Sequence, residues 1–126
     1  MIVGIGVDAI EIERVERMFA EKGERMLSRL FTDGEIAYVQ GKAHQAQHLA
    51  VRLAAKEAAY KALSGNDLAR GIGWRDVEVV SRPDGSPALE LHGRAQQRLA
   101  ELGGGTLHIS LTHSQATAVA VVIVER

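Results

Sequence analysis

The chain has 126 residues, 46% of them hydrophobic, a formal net charge of −1 and no cysteine. That length suits one domain with a modest core, and a near-neutral charge argues against a general nucleic-acid binder. The lack of cysteine excludes a disulfide framework, a thiolate zinc site and a thiol nucleophile; with no signal-peptide pattern and no apolar run able to span a bilayer, a cytoplasmic protein with no membrane role is expected.

Met1 to Asp8 predicts a buried first strand, with Val3, Ile5 and Val7 on one face and Gly4, Gly6 and Asp8 on the other. Glycines weaken a strand unless something must approach it closely. Asp8 ends this strand, either as the N-cap of the next helix, with Glu11 completing a capping-box-like pair, or as a functional acid. From Glu11 to about Ala20, Ile12, Val15, Met18 and Phe19 recur at helical spacing with Glu13, Arg14, Glu16 and Arg17 outward, and the helix ends near Gly23. Phe31 to Ile36 has the form of a capped helix start: Thr32 is the N-cap, Glu35 reaches back, and Phe31 and Ile36 form a hydrophobic staple. Gln40 to His48 is polar, a loop or a loosely held turn. His44 and His48 lie four apart, but no His-Glu-x-x-His pattern accompanies them, so no zinc site is expected.

Arg52 to Leu63 is the most informative stretch. At helical spacing Ala54, Ala55, Ala58, Ala59 and Ala62 share one arc, while Arg52, Lys56, Glu57 and Lys61 fall on the other. The alanine face lets another layer approach the backbone. One carboxylate among three cations suits a divalent cation and a phosphorylated ligand, although a solvated face with a Glu57–Lys61 pair reads the same way. Joined by Asp8 over its glycine floor, Glu57 would complete a two-carboxylate magnesium site with positions left for water and phosphate oxygens.

Gly65 to Gly73 reads as a loop, and Val77 to Ser81 with Pro87 to Leu91 as a hairpin around Pro83-Asp84-Gly85. Arg94 to Leu102 is a short amphipathic helix stopped by three glycines. Leu107 to Leu111 and Ala116 to Val124 form a second strand pair, the latter apolar on both faces and hence central in its sheet. The expectation is a single α+β domain over residues 1–126, a mostly antiparallel sheet packed against a long alanine-rich helix. His113, between the last strands, either finishes the apolar face of Leu107, Ile109 and Leu111 or stands beside a phosphate or an attacking hydroxyl. Ser110 and Thr112, on the opposite face, can hydrogen-bond phosphate oxygens. No Gly-x-Ser-x-Gly elbow supports a serine hydrolase.

Four segments together, Gly4 to Glu11, Phe31 to Glu35, Arg52 to Leu63 and Ile109 to Ser114, resemble the holo-[acyl-carrier-protein] synthases, the small 4'-phosphopantetheinyl transferases. The resemblance runs nearly end to end; Val51 stands where that family usually has Gly, and Leu53 where it has Phe or Trp. It implies a transferase-like fold and transfer of the phosphopantetheine arm of coenzyme A to a serine of apo acyl carrier protein, releasing adenosine 3',5'-bisphosphate. It further implies Mg²⁺ on Asp8 and Glu57, with Lys61 stabilising developing charge. The serine proton would go to Glu57, directly or through a metal-bound water, or to His113. Arg52, Lys56, Lys61, His44, Ser110 and Thr112 would bind the cofactor. A homotrimer with coenzyme A between subunits is implied too.

Carrier proteins of this kind are acidic, which directs attention to Arg14, Arg17, Met18 and Arg25 as a docking face, unless Glu13 and Glu16 neutralise it. Two other readings stay open: a non-catalytic nucleotide-binding oligomerisation module, and a magnesium-dependent nucleotide pyrophosphatase with water as acceptor.

Overall fold

Strand β1 (Ile2–Glu11) lies directly beneath helix α4 (Gln45–Ala62) in the computed structural model, which describes all 126 residues. A Cβ added to Gly4 would overlap the carbonyl oxygen of Ala62, and one added to Gly6 that of Ala58. The strand glycines therefore serve the approach of a helix backbone. The alanines do the reciprocal work, since Ala54, Ala55, Ala58 and Ala59 are fully buried and Ala62 nearly so.

Between these elements the chain forms α1 (Ile12–Lys22), α2 (Glu24–Leu30) and α3 (Asp33–Val39). After α4 come α5 (Asp67–Arg70), a 3₁₀ turn (Trp74–Asp76), β2 (Val77–Ser81), β3 (Pro87–Leu91), α6 (Gly93–Glu101), β4 (Thr106–His113) and β5 (Thr117–Glu125). The main sheet has the order β1-β5-β4, antiparallel throughout, and β2 pairs with β3 in a separate antiparallel hairpin. This is the expected α+β arrangement, with the two-sided apolar strand β5 at the centre. Its Ala118, Ala120, Val122 and Val124 are buried under α4 in one core with Leu49, Leu53 and Leu63. No helix is long and apolar enough to cross a membrane.

Several local expectations shift. The first strand is not buried, being an edge strand with Ile5 and Val7 exposed, and it does not end at Asp8; it continues to Glu11, and Asp8 pairs with Ala120. Asp8 is therefore no N-cap: α1 starts at Ile12 behind Glu11, which makes no side-chain cap. Helix α2 was not anticipated, because Gly23, at φ 51°, breaks the chain and only Met26 of the short helix is buried. Helix α4 starts at Gln45, so the second part of the polar run, Gln45 to His48, is helical, and Leu49 and Ala50 anchor it in the core. A short helix also interrupts the 65–73 loop, capped where the Asn66 side chain accepts from the Ala69 N–H at 2.9 Å.

The Thr32 capping box is as expected: the hydroxyl accepts from the Glu35 N–H at 3.2 Å, and Glu35 Oε1 accepts from the Thr32 N–H at 2.9 Å.

Candidate active site

The second half of β1 and the C-terminal half of α4 bring Asp8, Glu57 and Lys61 together. The Lys61 ammonium donates to the Val7 carbonyl at 3.0 Å and to Asp8 Oδ1 at 3.1 Å, which locks one turn of α4 to the strand. Glu57 lines the same groove as Asp8, about 390 Å³ in volume, and takes part in no ion pair of the protein. A half-buried carboxylate without a partner, beside a second held by one lysine, offers oxygens only. That donor set fits a hard divalent cation, which takes one or two carboxylates and leaves room for water and phosphate. Glu57 also borders a second cavity of about 260 Å³ with Tyr60, Arg70, Ile72 and Trp74, so it stands between two spaces.

Arg14, Lys22, Arg25 and Arg29 line the Asp8–Glu57 groove together with apolar side chains, Met18 among them. Of the docking residues read from sequence, Arg14, Met18 and Arg25 meet there, while Arg17 is exposed and outside the lining. Lys22 and Arg29 were missed, although Arg25 and Arg29 stand four apart and Lys22 closes α1 beside them. None of the four cations is in an ion pair, and they outnumber the two carboxylates, Asp8 and Glu57, that line the groove with them.

A second cationic cluster gathers at the other end of α4. His44, at φ 59°, caps the helix, and the Arg52 guanidinium lies 4.0 Å from the centre of the Tyr38 ring, with Lys42 at 4.8 Å from the same ring. Arg52 Nε is buried without a hydrogen-bond partner, and its Nη1 reaches only the His48 carbonyl, at 3.3 Å. Burial, and then the charges of Arg52 and Lys42, hold His48 below its ordinary value of 6.5. His113 joins from β4, its Nδ1 3.0 Å from the Gln47 amide nitrogen. Within one chain it is thus ten residues of helix, about 15 Å, from Glu57. Ser110 and Thr112 are exposed on the far face of the sheet, away from α4.

Lys56 departs from its expected face. Its ammonium meets Glu35 Oε1 at 2.7 Å, both side chains being essentially inaccessible, and donates to the carbonyls of Trp74, at 2.9 Å, and Val77. Arg52 is also buried, at 7% exposure, so two of the four charges opposite the alanines point into the protein. Packing against strand β1, α3 and the β2 end leaves α4 only a narrow exposed stripe at Tyr60 and Lys61, which helical spacing alone does not reveal. All three Lys56 donors are committed, leaving none for a phosphate.

Another acidic group went unrecognised in the sequence. Glu78 and Glu90 face each other across the β2–β3 hairpin, and with His92 their donor atoms lie within 4.8 Å of one another. Glu78 Oε2 accepts from the Thr32 hydroxyl at 2.6 Å, and Oε1 lies 3.0 Å from His92 Nε2. Burial pushes the Glu78 carboxyl up, but these hydrogen bonds outweigh it and hold the group below 4.5. Asp8 and Glu57 do not belong to this group.

The model of the 4'-phosphopantetheinyl transferase superfamily matches residues 4–121. The chain is 48% identical to a holo-[acyl-carrier-protein] synthase of Geobacter metallireducens over 126 residues, covering 100% of this chain and 99% of that one. Its fold is similar to the crystal structure of the Neisseria meningitidis holo-[acyl-carrier-protein] synthase, with a TM-score of 0.87 and 26% identity over 100% of both chains. It also resembles the Bacillus anthracis holo-(acyl-carrier-protein) synthase in complex with CoA (3',5'-ADP): the TM-score is 0.79 and the identity 32%, over 99% of this chain and 97% of that one.

Proposed function

Because this chain belongs to the 4'-phosphopantetheinyl transferase superfamily, we propose that it moves the phosphopantetheine arm of coenzyme A onto a serine of apo acyl carrier protein. The observation that carries this reading is the groove in which Asp8 and the unpaired Glu57 meet Arg14, Lys22, Arg25 and Arg29, none of them in an ion pair. Carboxylates for a metal beside cations for an acidic protein suit a reaction between a phosphorylated cofactor and an acidic acceptor.

In the reaction the serine oxygen forms a bond to the pyrophosphate phosphorus that carries the pantetheine arm. The bond from that phosphorus to the bridging oxygen breaks, and adenosine 3',5'-bisphosphate leaves with the electron pair. Mg²⁺ bound by Asp8 and Glu57 would supply charge neutralisation on the oxygens of the transferring and leaving groups. In this reading Glu57, which borders both spaces, takes the serine proton, directly or through a water. Lys61, fixed by the Val7 carbonyl and Asp8, presents its ammonium where negative charge develops. The exposed His44 and His113, at the N-terminal end of α4, receive cofactor phosphates in this reading, while Arg52, buried under Tyr38, adds positive charge behind them without a free face of its own. With no cysteine to pair, the chain suits the reducing cytoplasm. The test is to incubate the protein with coenzyme A, Mg²⁺ and apo carrier, then weigh the carrier by mass spectrometry. A carrier heavier by one phosphopantetheine supports the reading; release of 3',5'-ADP without that gain would overturn it.

The protein acts in this reading as a homotrimer. On the sheet face away from α4, Ile5 is 64% and Val7 55% exposed, opposite Ile123 and Val121 of β5. An apolar sheet face of this kind suits burial against another copy. It also carries Ser110 and Thr112, so association would bring these hydroxyls and a neighbour's site together. Light scattering should return three times the 13.6 kDa subunit mass, and a one-subunit mass under assay conditions would contradict the interface.

Docking is tested at Arg14. Replacement by Glu is expected to weaken carrier binding about tenfold or more and to flatten its salt dependence, because a groove cation is lost and an acid opposes the acidic partner. Coenzyme A binding should stay unchanged. Equal loss of both ligands would mean that Arg14 supports the fold or the cofactor site.

A further inference from the structure

Lys56 is the most completely buried cation of the chain, at 2% exposure, and it precedes Glu57 on α4. Its three donors tie together three separate pieces of backbone: Glu35 of α3, the Trp74 carbonyl at the start of the 3₁₀ turn, and the Val77 carbonyl at the start of β2. Glu35 is equally committed, since Oε1 also caps Thr32 and Oε2 accepts from the Val79 N–H at 2.8 Å. Burial pushes the Lys56 ammonium down from its ordinary value, against the pull of Glu35.

The segment held this way ends on the one side chain that lines both spaces beside Glu57. Trp74, the only tryptophan, borders the 390 Å³ groove and the 260 Å³ cavity alike. A buried ion pair is weak evidence of stability, because an apolar pair of similar volume often serves a fold equally well. Holding two carbonyls at fixed distance from the α4 backbone, by contrast, needs a donor at this point. An error of about 1 Å in such a wall is enough to cost about 10²-fold in rate.

We infer that Lys56 is a positioning residue for the reaction: through the Trp74 and Val77 carbonyls it sets the Trp74 wall between the two spaces that Glu57 joins. The kinetic part of this inference rests on the transferase reading, whereas the placement of Trp74 does not. The test is the double variant Lys56→Met, Glu35→Leu, which removes both charges and keeps the volume. It also leaves the Thr32 and Val79 N–H groups without their acceptor, so it should melt below the parent and is assayed well under its own melting temperature. Trp74 emission should shift to longer wavelength and become more open to acrylamide quenching, while kcat falls about 10- to 100-fold and KM for coenzyme A changes less than threefold.

Glu35→Gln, which leaves the lysine donors on both carbonyls, should keep the parent emission. Parent emission and parent kcat in a folded double variant would overturn the inference. If the double variant does not fold, Lys56→Gln, with a shorter neutral donor, gives the same two readouts and decides by the same criteria. A Trp74 shift in a protein whose parent transfers nothing to the carrier would sink the transferase reading and leave the positioning role standing.

Discussion

A Glu57→Gln protein is expected to fold as the parent does and to turn over about 10³-fold more slowly, or worse. The substitution keeps shape and removes one negative charge. Glu57 has no ion-pair partner inside the protein, so little native structure depends on that charge. The loss therefore falls on interactions made with the reacting groups, where deletion of a single preorganised electrostatic contact costs about 10²–10³ in kcat. Glu57 is asked for two such contributions, metal binding and proton acceptance, so the larger end of the range is expected. Chelation should abolish the activity of the parent, and Mg²⁺ should restore it. Thermal melts with mass-spectrometric turnover separate the cases: an active, well-folded Glu57→Gln protein would end the two-carboxylate reading.

Gly6→Ala should produce the largest loss of stability from a single added methyl group, about 3 kcal/mol, or about 10 °C in Tm for a chain of this size. The atom in its way is the Ala58 carbonyl oxygen, part of a helix backbone that cannot rotate aside. The sheet must then move away from α4. Asp8 sits two residues along the same strand, and Glu57 adjoins Ala58, so the two carboxylates separate together with the layers. Activity measured well below the new Tm should consequently fall by more than the folded fraction does. A parent-like melting temperature would show that these glycines do not set the spacing between strand and helix.

The elements legible in sequence were those with a strict period or a strong stop. β2 and β3 occupy the predicted residues because alternation and Pro83-Asp84-Gly85 leave the chain little choice. The Thr32–Glu35 box is equally local, four residues satisfying one another's backbone groups. Helix α2 and the first two turns of α4 were less legible because their polar residues carry weak periodicity, and burial of Met26, Leu49 and Ala50 against distant elements supplies the missing stabilisation. The same division holds at the site. Asp8, Glu57 and Lys61 could be named from spacing, whereas Lys22, Arg29 and Trp74 enter the groove only through the packing of α1, α2 and the 3₁₀ turn.

The sequence by itself determined that one helix would carry an alanine arc opposite Glu57 and that the first strand would carry Asp8 on the face of its glycines, since helical and strand periods fix which residues share a face; that the two faces meet is a fact of the fold. Tertiary structure alone decided which charges remain available. Lys56 and Arg52 belong to the same helical arc as Glu57, yet Glu35, Trp74 and Val77 enclose one and Tyr38 covers the other. Periodicity describes a helix in isolation, and whether a charge meets solvent, a ligand or a buried carboxylate depends on residues far along the chain that fold against it.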